Sequence, residues 1–145
     1  MTAEAIAKAT GSAIVETPLL RERRFGLWDG LFFEEIERKY PQEYLAWKRD
    51  PAGYAPEGGE TMYDLLMRVK QGVAEMLERY RHRSLVVASH VGPIRLCIAD
   101  ALGLPPAMYR QLTIDYGSIS AIDYGRTQNN LLYCNVSSRV LEGNG

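Results

Sequence analysis

One stretch decides the fold of this chain: Leu85-Val86-Val87-Ala88-Ser89-His90-Val91-Gly92-Pro93-Ile94-Arg95. Its first five residues are rich in β-branched side chains and predict a buried strand over 85–89, and Gly92 and Pro93 signal a turn into a helix that ends at Leu102. His90 therefore lies at the tip of a strand. In open α/β sheets, ligands bind beyond the carboxyl ends of the strands, where a following helix directs its unpaired N–H groups and positive dipole end. The stretch thus predicts an anion site, with phosphate as the natural occupant.

The composition is that of an ordinary globular domain. The chain has 145 residues, of which 46% are hydrophobic and 24% charged, and its formal net charge is −1. This length fits one domain, and this charge does not fit a general nucleic-acid binder. No apolar run is long enough to span a bilayer and the first residues lack a secretory signal, so we expect a cytoplasmic protein. Cys97 and Cys134 lie outside any metal-ligand spacing and are expected to be small buried hydrophobes.

Hydrophobic periodicity and turn residues divide the chain into alternating elements. A helix over 1–10 ends at Gly11, and a long amphipathic helix begins with Thr61 as its N-cap and Asp64 at its third position. An irregular loop spans 19–30, and a lid is expected over 32–59. Further predictions are helices over 32–40 and 41–47, a strand over 13–16, an antiparallel hairpin of strands 118–124 and 131–136, and a loose tail over 137–145. The aromatic residues expected to pack in the core and lid are Phe25, Trp28, Phe32, Phe33 and Trp47.

Three motifs follow one another along the chain: Leu20-Arg21-Glu22-Arg23-Arg24-Phe25-Gly26-Leu27-Trp28-Asp29-Gly30, then Pro56-Glu57-Gly58-Gly59-Glu60-Thr61, then Ser89 to Arg95. Together they resemble signatures of the histidine phosphatase superfamily, in its phosphoglycerate-mutase-like branch. The resemblance implies an α/β fold, a three-layer sandwich around a mixed, mostly parallel sheet that lacks its first strand and first helix. Residues 1–136 would then form a partial domain. The resemblance implies neither a metal nor another cofactor.

The resemblance also assigns roles to individual residues. Glu22 matches the proton donor of the family, and His90 matches its second histidine, which holds the phosphoryl group. Arg23 matches a position that often contacts substrate, while Val91 and Gly92 lie in the turn whose N–H groups face the phosphate, with Val91 where the family usually has glycine. The residues alone leave alternatives open: a surface ion-pair network for Glu22, a lone core or hinge histidine for His90, and a neighbouring arginine in place of Arg23.

The sequence departs from the family at the nucleophile. Family members carry an Arg-His-Gly motif near the N-terminus, and its histidine accepts the phosphoryl group. This chain has two histidines. The one other than His90 is His82, which lies in the basic segment 79–83, typical of a solvated surface. We therefore expect a chain that starts inside the fold and is inactive, or nearly so, by itself. Its parent is expected to be a phosphatase, or alternatively a phosphoglycerate mutase, that acts on a small phosphorylated metabolite.

The unfilled place in the sheet makes predictions about partners. An apolar strand 85–89 without its neighbour favours a homo-oligomer, a swapped dimer or pairing with a separate N-terminal piece. A competing hypothesis is a non-catalytic module that binds a phosphorylated ligand or a partner. Retention of both Glu22 and His90 favours a truncated enzyme, because a binding module does not need an acid for the leaving group. A doubly wound nucleotide-binding domain is disfavoured, because the sequence has neither Gly-x-Gly-x-x-Gly nor Gly-x-x-x-x-Gly-Lys-Thr/Ser.

Overall fold

Five α-helices and one β-hairpin make up the regular structure of this computed structural model, which describes residues 2–137. The helices are α1 (Thr2–Thr10), α2 (Phe33–Lys39), α3 (Pro41–Arg49), α4 (Met62–Arg79) and α5 (Val91–Ala101), and the strands are β1 (Ile119–Tyr124) and β2 (Asn129–Val136). Short 3-10 turns cover Pro18–Leu20, Gly26–Trp28 and Pro106–Gln111. Across residues 2–137, no helix combines the length and the apolar character that crossing a bilayer requires.

Helix α4 starts as the sequence predicts and carries the centre of the core. Thr61 Oγ1 accepts the N–H of Asp64 at 3.0 Å, and the Asp64 carboxylate accepts the N–H of Thr61 at 2.9 Å, so two N–H groups at the helix start are satisfied. The residues buried together between α4, α5 and the first 3-10 turn are Leu20, Met62, Leu65, Val69 and Leu96. Each such side chain contributes about 1.5 to 3 kcal/mol by leaving water.

A cluster of aromatic rings fastens α2 and α3 to the loop that precedes them. Trp28 is only 2% exposed, stacks on Tyr54 at a centroid distance of 5.6 Å and meets the edge of Trp47 at 6.4 Å. Phe33 stacks on the other side of this cluster, 5.1 Å from Trp47. The predicted packing role is thus confirmed for Trp28, Phe33 and Trp47. It is wrong for Phe32, which precedes the first turn of α2 and is 76% exposed.

The predicted hairpin is confirmed, and it lies against α5. Strands β1 and β2 are antiparallel, with Ile122 opposite Leu131 and Tyr124 opposite Asn129. The connecting segment 125–128 is shorter than the sequence suggests, because β2 begins two residues early. Both strands contact α5, which places the hairpin on the same helix whose first turn follows His90.

The two other predicted strands, 13–16 and 85–89, are wrong for this structure. Neither segment has regular secondary structure, because a strand needs backbone hydrogen bonds to a neighbour and no segment within 2–137 pairs with either one. Their side chains are exposed, Val15 by 58% and Val86 by 72%. The α/β character holds, but the described residues form only a two-stranded antiparallel sheet rather than the mostly parallel sheet of a three-layer sandwich. Of the predicted tail, 138–145 lie outside the described residues.

Candidate active site

Two hydrogen bonds join the segment around Glu22 to the segment that contains His90. Ser89 Oγ donates to the backbone carbonyl of Leu20 at 2.6 Å, and the backbone N–H of Gly92 donates to Glu22 Oε2 at 3.1 Å. These bonds lie on either side of His90 in the sequence. Residues 70 positions apart are therefore brought to one place, where the sequence predicts the site.

His90 is the N-cap residue of α5, and its side chain is available to a ligand. Its backbone is extended, with φ −121° and ψ 166°, and its carbonyl accepts the N–H of Ile94 at 3.0 Å. The residue is exposed, and its imidazole makes no hydrogen bond or ion pair with any residue that the structure describes. Val91 opens the helix and is half-buried. An exposed imidazole at a helix N-terminus can donate an N–H to an anion together with the backbone.

Glu22 supplies the cap that His90 does not. Its Oε2 accepts the N–H of Gly92, and its Oε1 accepts the N–H of Arg23 at 2.8 Å, so both carboxylate oxygens are held. The residue is half-buried. A carboxylate at the start of a helix is stabilised by the unpaired N–H groups and by the helix dipole. A titratable oxygen is thereby fixed within two residues of the predicted phosphate-binding histidine.

The position of the Glu22 carboxylate depends on the glycine at position 92. A Cβ atom on Gly92 would overlap Glu22 Oε1 and would lie 3.2 Å from Glu22 Cδ and 3.5 Å from Leu65 Cδ2. Any side chain at this position would therefore force the Glu22 carboxylate to shift. In this structure the Gly92 N–H donates to the Glu22 carboxylate, and a contact between that N–H and phosphate stays a prediction.

Arg23 is a buried brace in this structure. It is 6% exposed, and its guanidinium donates from Nε to the carbonyl of Glu60 at 2.9 Å and from Nη2 to the carbonyl of Tyr54 at 2.8 Å. It also lies over the ring of Phe25, 5.1 Å from the centroid. These contacts fasten the loop around residue 23 to the connector before α4. A contact between Arg23 and substrate stays a prediction.

Two charged residues, Glu60 and Arg68, hold the loop that carries Glu22, and the sequence alone assigns neither of them this role. Glu60 is 4% exposed, and its carboxylate accepts the N–H of Arg24 at 2.9 Å and a bond from Arg68 Nη2 at 2.6 Å. Burial alone would raise the pKa of Glu60, but the Arg68 guanidinium and the Arg24 N–H hold that pKa below its usual value. The available signal was an arginine at 68, between Leu65 and Val69 on the apolar face of α4.

No group of three or more His, Cys, Asp or Glu side chains among residues 2–137 is arranged to hold a metal ion. The two cysteines are half-buried and do not join the site. Burial raises the pKa of the Cys97 thiol to about 11, so this thiol is protonated and unreactive at neutral pH.

The sequence and the fold both match known phosphatases. The model of the histidine phosphatase superfamily (branch 1) matches residues 1–137. Phosphoserine phosphatase 1 of Hydrogenobacter thermophilus is 28% identical over 98% of the chain and 67% of its own length. Glucosyl-3-phosphoglycerate phosphatase of Mycobacterium tuberculosis is 33% identical over 77% of the chain and 53% of its own length.

A solved structure extends this similarity to three dimensions. The alpha-ribazole phosphatase from Shigella flexneri superposes with a TM-score of 0.85 at 27% identity, over 93% of this chain and 67% of that protein. Of several other curated relatives that it matches, the chain spans only 34% of the length.

Proposed function

Because this chain belongs to the histidine phosphatase superfamily (branch 1), we propose that His90 and Glu22 form one half of a site that hydrolyses phosphomonoesters of small metabolites. The observation that carries the proposal is the Glu22 carboxylate, held by the Gly92 N–H at 3.1 Å beside an exposed histidine at a helix N-terminus. The similar proteins bear the names of phosphatases for phosphoserine, glucosyl-3-phosphoglycerate and alpha-ribazole phosphate, which are all small phosphorylated molecules.

The proposed reaction has two steps. A histidine nitrogen attacks phosphorus and forms an N–P bond while the P–O bond to the alcohol breaks. Glu22 gives its carboxyl proton to the departing oxygen, and His90 donates a hydrogen bond to a phosphoryl oxygen as charge builds there. Water then breaks the N–P bond, its proton passes to Glu22, and inorganic phosphate leaves. In this scheme the chain supplies the acid, Glu22, and the residue that binds the phosphoryl group, His90.

The attacking histidine is the part that we assign to a segment outside this sequence. Of the two histidines, His90 occupies the predicted gripping position. His82 is exposed in the turn after α4. The chain alone is therefore expected to bind phosphate without turning substrate over. This state is also what the competing hypothesis of a phospho-ligand-binding module describes, and the presence of a held carboxylate favours the enzyme.

Residues 85–88 are exposed, which supports a complementary strand beside the segment 85–89. We propose that a strand added beside this segment completes the three-layer sandwich of the partial domain 1–136, in a protein of the cytoplasm. Leu85, Val86 and Val87 are 41%, 72% and 45% exposed, which is unusual for a β-branched run. A second copy or a separate piece of polypeptide would bury them.

The activity proposal is tested with inorganic phosphate and p-nitrophenyl phosphate. Adding inorganic phosphate should shift the NMR signal of the His90 imidazole, His90→Ala should remove phosphate binding, and His82→Ala should leave it unchanged. The chain alone should not hydrolyse p-nitrophenyl phosphate. Turnover at a rate typical of enzymes, abolished by His90→Ala, would show that the missing-nucleophile hypothesis is wrong. The absence of any phosphate response at His90 would overturn the site itself.

The strand proposal has a separate test. Sedimentation should show association that weakens with Val86→Lys, which places a charge on the exposed apolar run, while the matched change Leu132→Lys on the hairpin should have little effect. A peptide whose apolar strand ends in Arg-His-Gly should bind at this place and restore turnover. A compact, well-folded monomer at high dilution that ignores the peptide contradicts the proposal.

A further inference from the structure

Arg68 makes an unusual set of contacts for a helix residue. From α4 its guanidinium donates to the backbone carbonyls of Leu19 at 2.7 Å, Arg21 at 2.9 Å and Glu22 at 3.2 Å, with the carbonyl of Pro18 at 3.5 Å. Its side chain is 15% exposed. These carbonyls belong to four of the five residues 18–22, and the fifth, that of Leu20, accepts from Ser89 Oγ. One side chain thus holds the backbone of that segment along its length.

Glu60 makes this arrangement possible. Its carboxylate lies 2.6 Å from Arg68 Nη2 and 3.3 Å from Arg68 Nε, so the buried positive charge has a partner. The same carboxylate accepts the N–H of Arg24, and the backbone N–H of Glu60 donates to the carbonyl of Arg24 at 3.0 Å. The backbone on both sides of Glu22 is therefore fastened, before it by Arg68 and after it by Glu60.

We propose that Arg68 is a positioning residue that sets where the Glu22 carboxyl lies relative to the phosphate. The inference rests on the proposed function, in which Glu22 is the acid. Arg68 holds the Glu22 carbonyl, while the N–H groups of Arg23 and Gly92 hold its two carboxylate oxygens. A group that transfers a proton must lie within hydrogen-bond reach of the reacting oxygen, and small displacements of such groups slow reactions strongly. In this proposal Arg68 fixes the backbone that carries Glu22 and does not itself contact substrate.

The geometry requires arginine rather than any cation. The fork of guanidinium N–H groups reaches several carbonyls and a carboxylate at once, whereas the three N–H bonds of a lysine ammonium radiate from one point. Arg68→Lys therefore keeps the charge that Glu60 needs and loses the bonds to the carbonyls. This substitution separates positioning of Glu22 from neutralisation of Glu60.

The test is the NMR signal of the Gly92 backbone amide as a function of pH. Because this N–H donates to Glu22, its proton shift should move as the carboxyl titrates. In Arg68→Lys, most of that pH-dependent shift should be lost while the spectrum of the hairpin is retained. The control is Lys70→Gln, which removes an exposed ion pair to Asp100 from the same helix and should leave the Gly92 profile unchanged.

A second variant covers the case in which Arg68→Lys fails to fold. The double variant Arg68→Met with Glu60→Met removes both buried charges and leaves neither unpaired, so the core tolerates it better than either single change. A Gly92 profile that stays at the wild-type shape in a folded Arg68 variant overturns the inference. The phosphate response of His90 is recorded on the same samples. Its absence in the wild type would overturn the proposed function, whereas the Gly92 profile tests Arg68 alone.

Discussion

The contact between Gly92 and Glu22 makes a sharp prediction for Gly92→Ala. The added methyl group would overlap Glu22 Oε1, so the carboxylate must shift on the first turn of α5. We expect this shift to break the hydrogen bond from the Gly92 N–H to Glu22 Oε2, which is 3.1 Å long. In most helices the same substitution is favourable, because alanine loses less backbone entropy than glycine. Two opposed effects therefore decide the result.

Their magnitudes favour destabilisation. A hydrogen bond to a charged group contributes about 1.5 to 3 kcal/mol. Replacing glycine by alanine within a helix gains about 1 kcal/mol. We therefore expect Gly92→Ala to lower the free energy of unfolding by about 0.5 to 2 kcal/mol, the difference between these two effects.

Urea unfolding followed by far-ultraviolet circular dichroism measures this difference, and a double-mutant cycle assigns it. In a Glu22→Ala background there is no carboxylate to displace, so adding Gly92→Ala should become neutral or stabilising by up to about 1 kcal/mol. If Gly92→Ala stabilises the wild type as much as it stabilises the Glu22→Ala protein, the two residues are not coupled and the reasoning fails.

Three further predictions concern the groups around the site. Glu60→Gln should lower the free energy of unfolding by about 3 kcal/mol at neutral pH. Because the pKa of Glu60 is held below its usual 4.5, this difference should be lost as the pH falls below 4.5, which chemical unfolding at several pH values measures. Thr61→Ala should cost about 1 kcal/mol in the same assay, and Thr61→Ser should retain the cap. Burial and the neighbouring Glu43 raise the pKa of Tyr54 from 10.0 to about 12, so Tyr54→Phe should remove one tyrosine from the late part of the tyrosinate titration followed by ultraviolet absorbance. Since the unfolded state ionises first, wild type should lose stability relative to Tyr54→Phe as the pH rises from 10 to 12.

The helices were predictable because their signals are local. The apolar spacing of α4, the cap at Thr61 and the glycine stop after α1 all lie within the helices or next to them. Gly11 indeed has a positive φ of 68°, which a helix stop favours. The hairpin of β1 and β2 was predictable for the same reason, since each strand finds its partner a few residues away.

The lack of regular structure at 13–16 and 85–89 was not predictable from their own residues. Their side chains have the composition of buried strands, but a strand forms only where another segment supplies hydrogen bonds. Periodicity describes the preference of a segment and does not report whether its neighbour is present. Val86 is an example: the composition of its segment predicts burial, but no described residue covers its side chain.

The candidate site was predictable to the extent that its three motifs are visible in the sequence, yet their relation to one another is not. Glu22 comes from the first motif and meets Gly92 of the third. The second motif holds the first in place: Gly26, with a φ of 54°, lies so close to Glu57 that only a glycine fits, and the N–H of Leu27 donates to the Glu57 carbonyl at 3.0 Å. Glu22 can keep its position at the start of α5 only if its own loop is rigid, and the connector before α4 holds that loop through the bonds of Arg23 and Glu60.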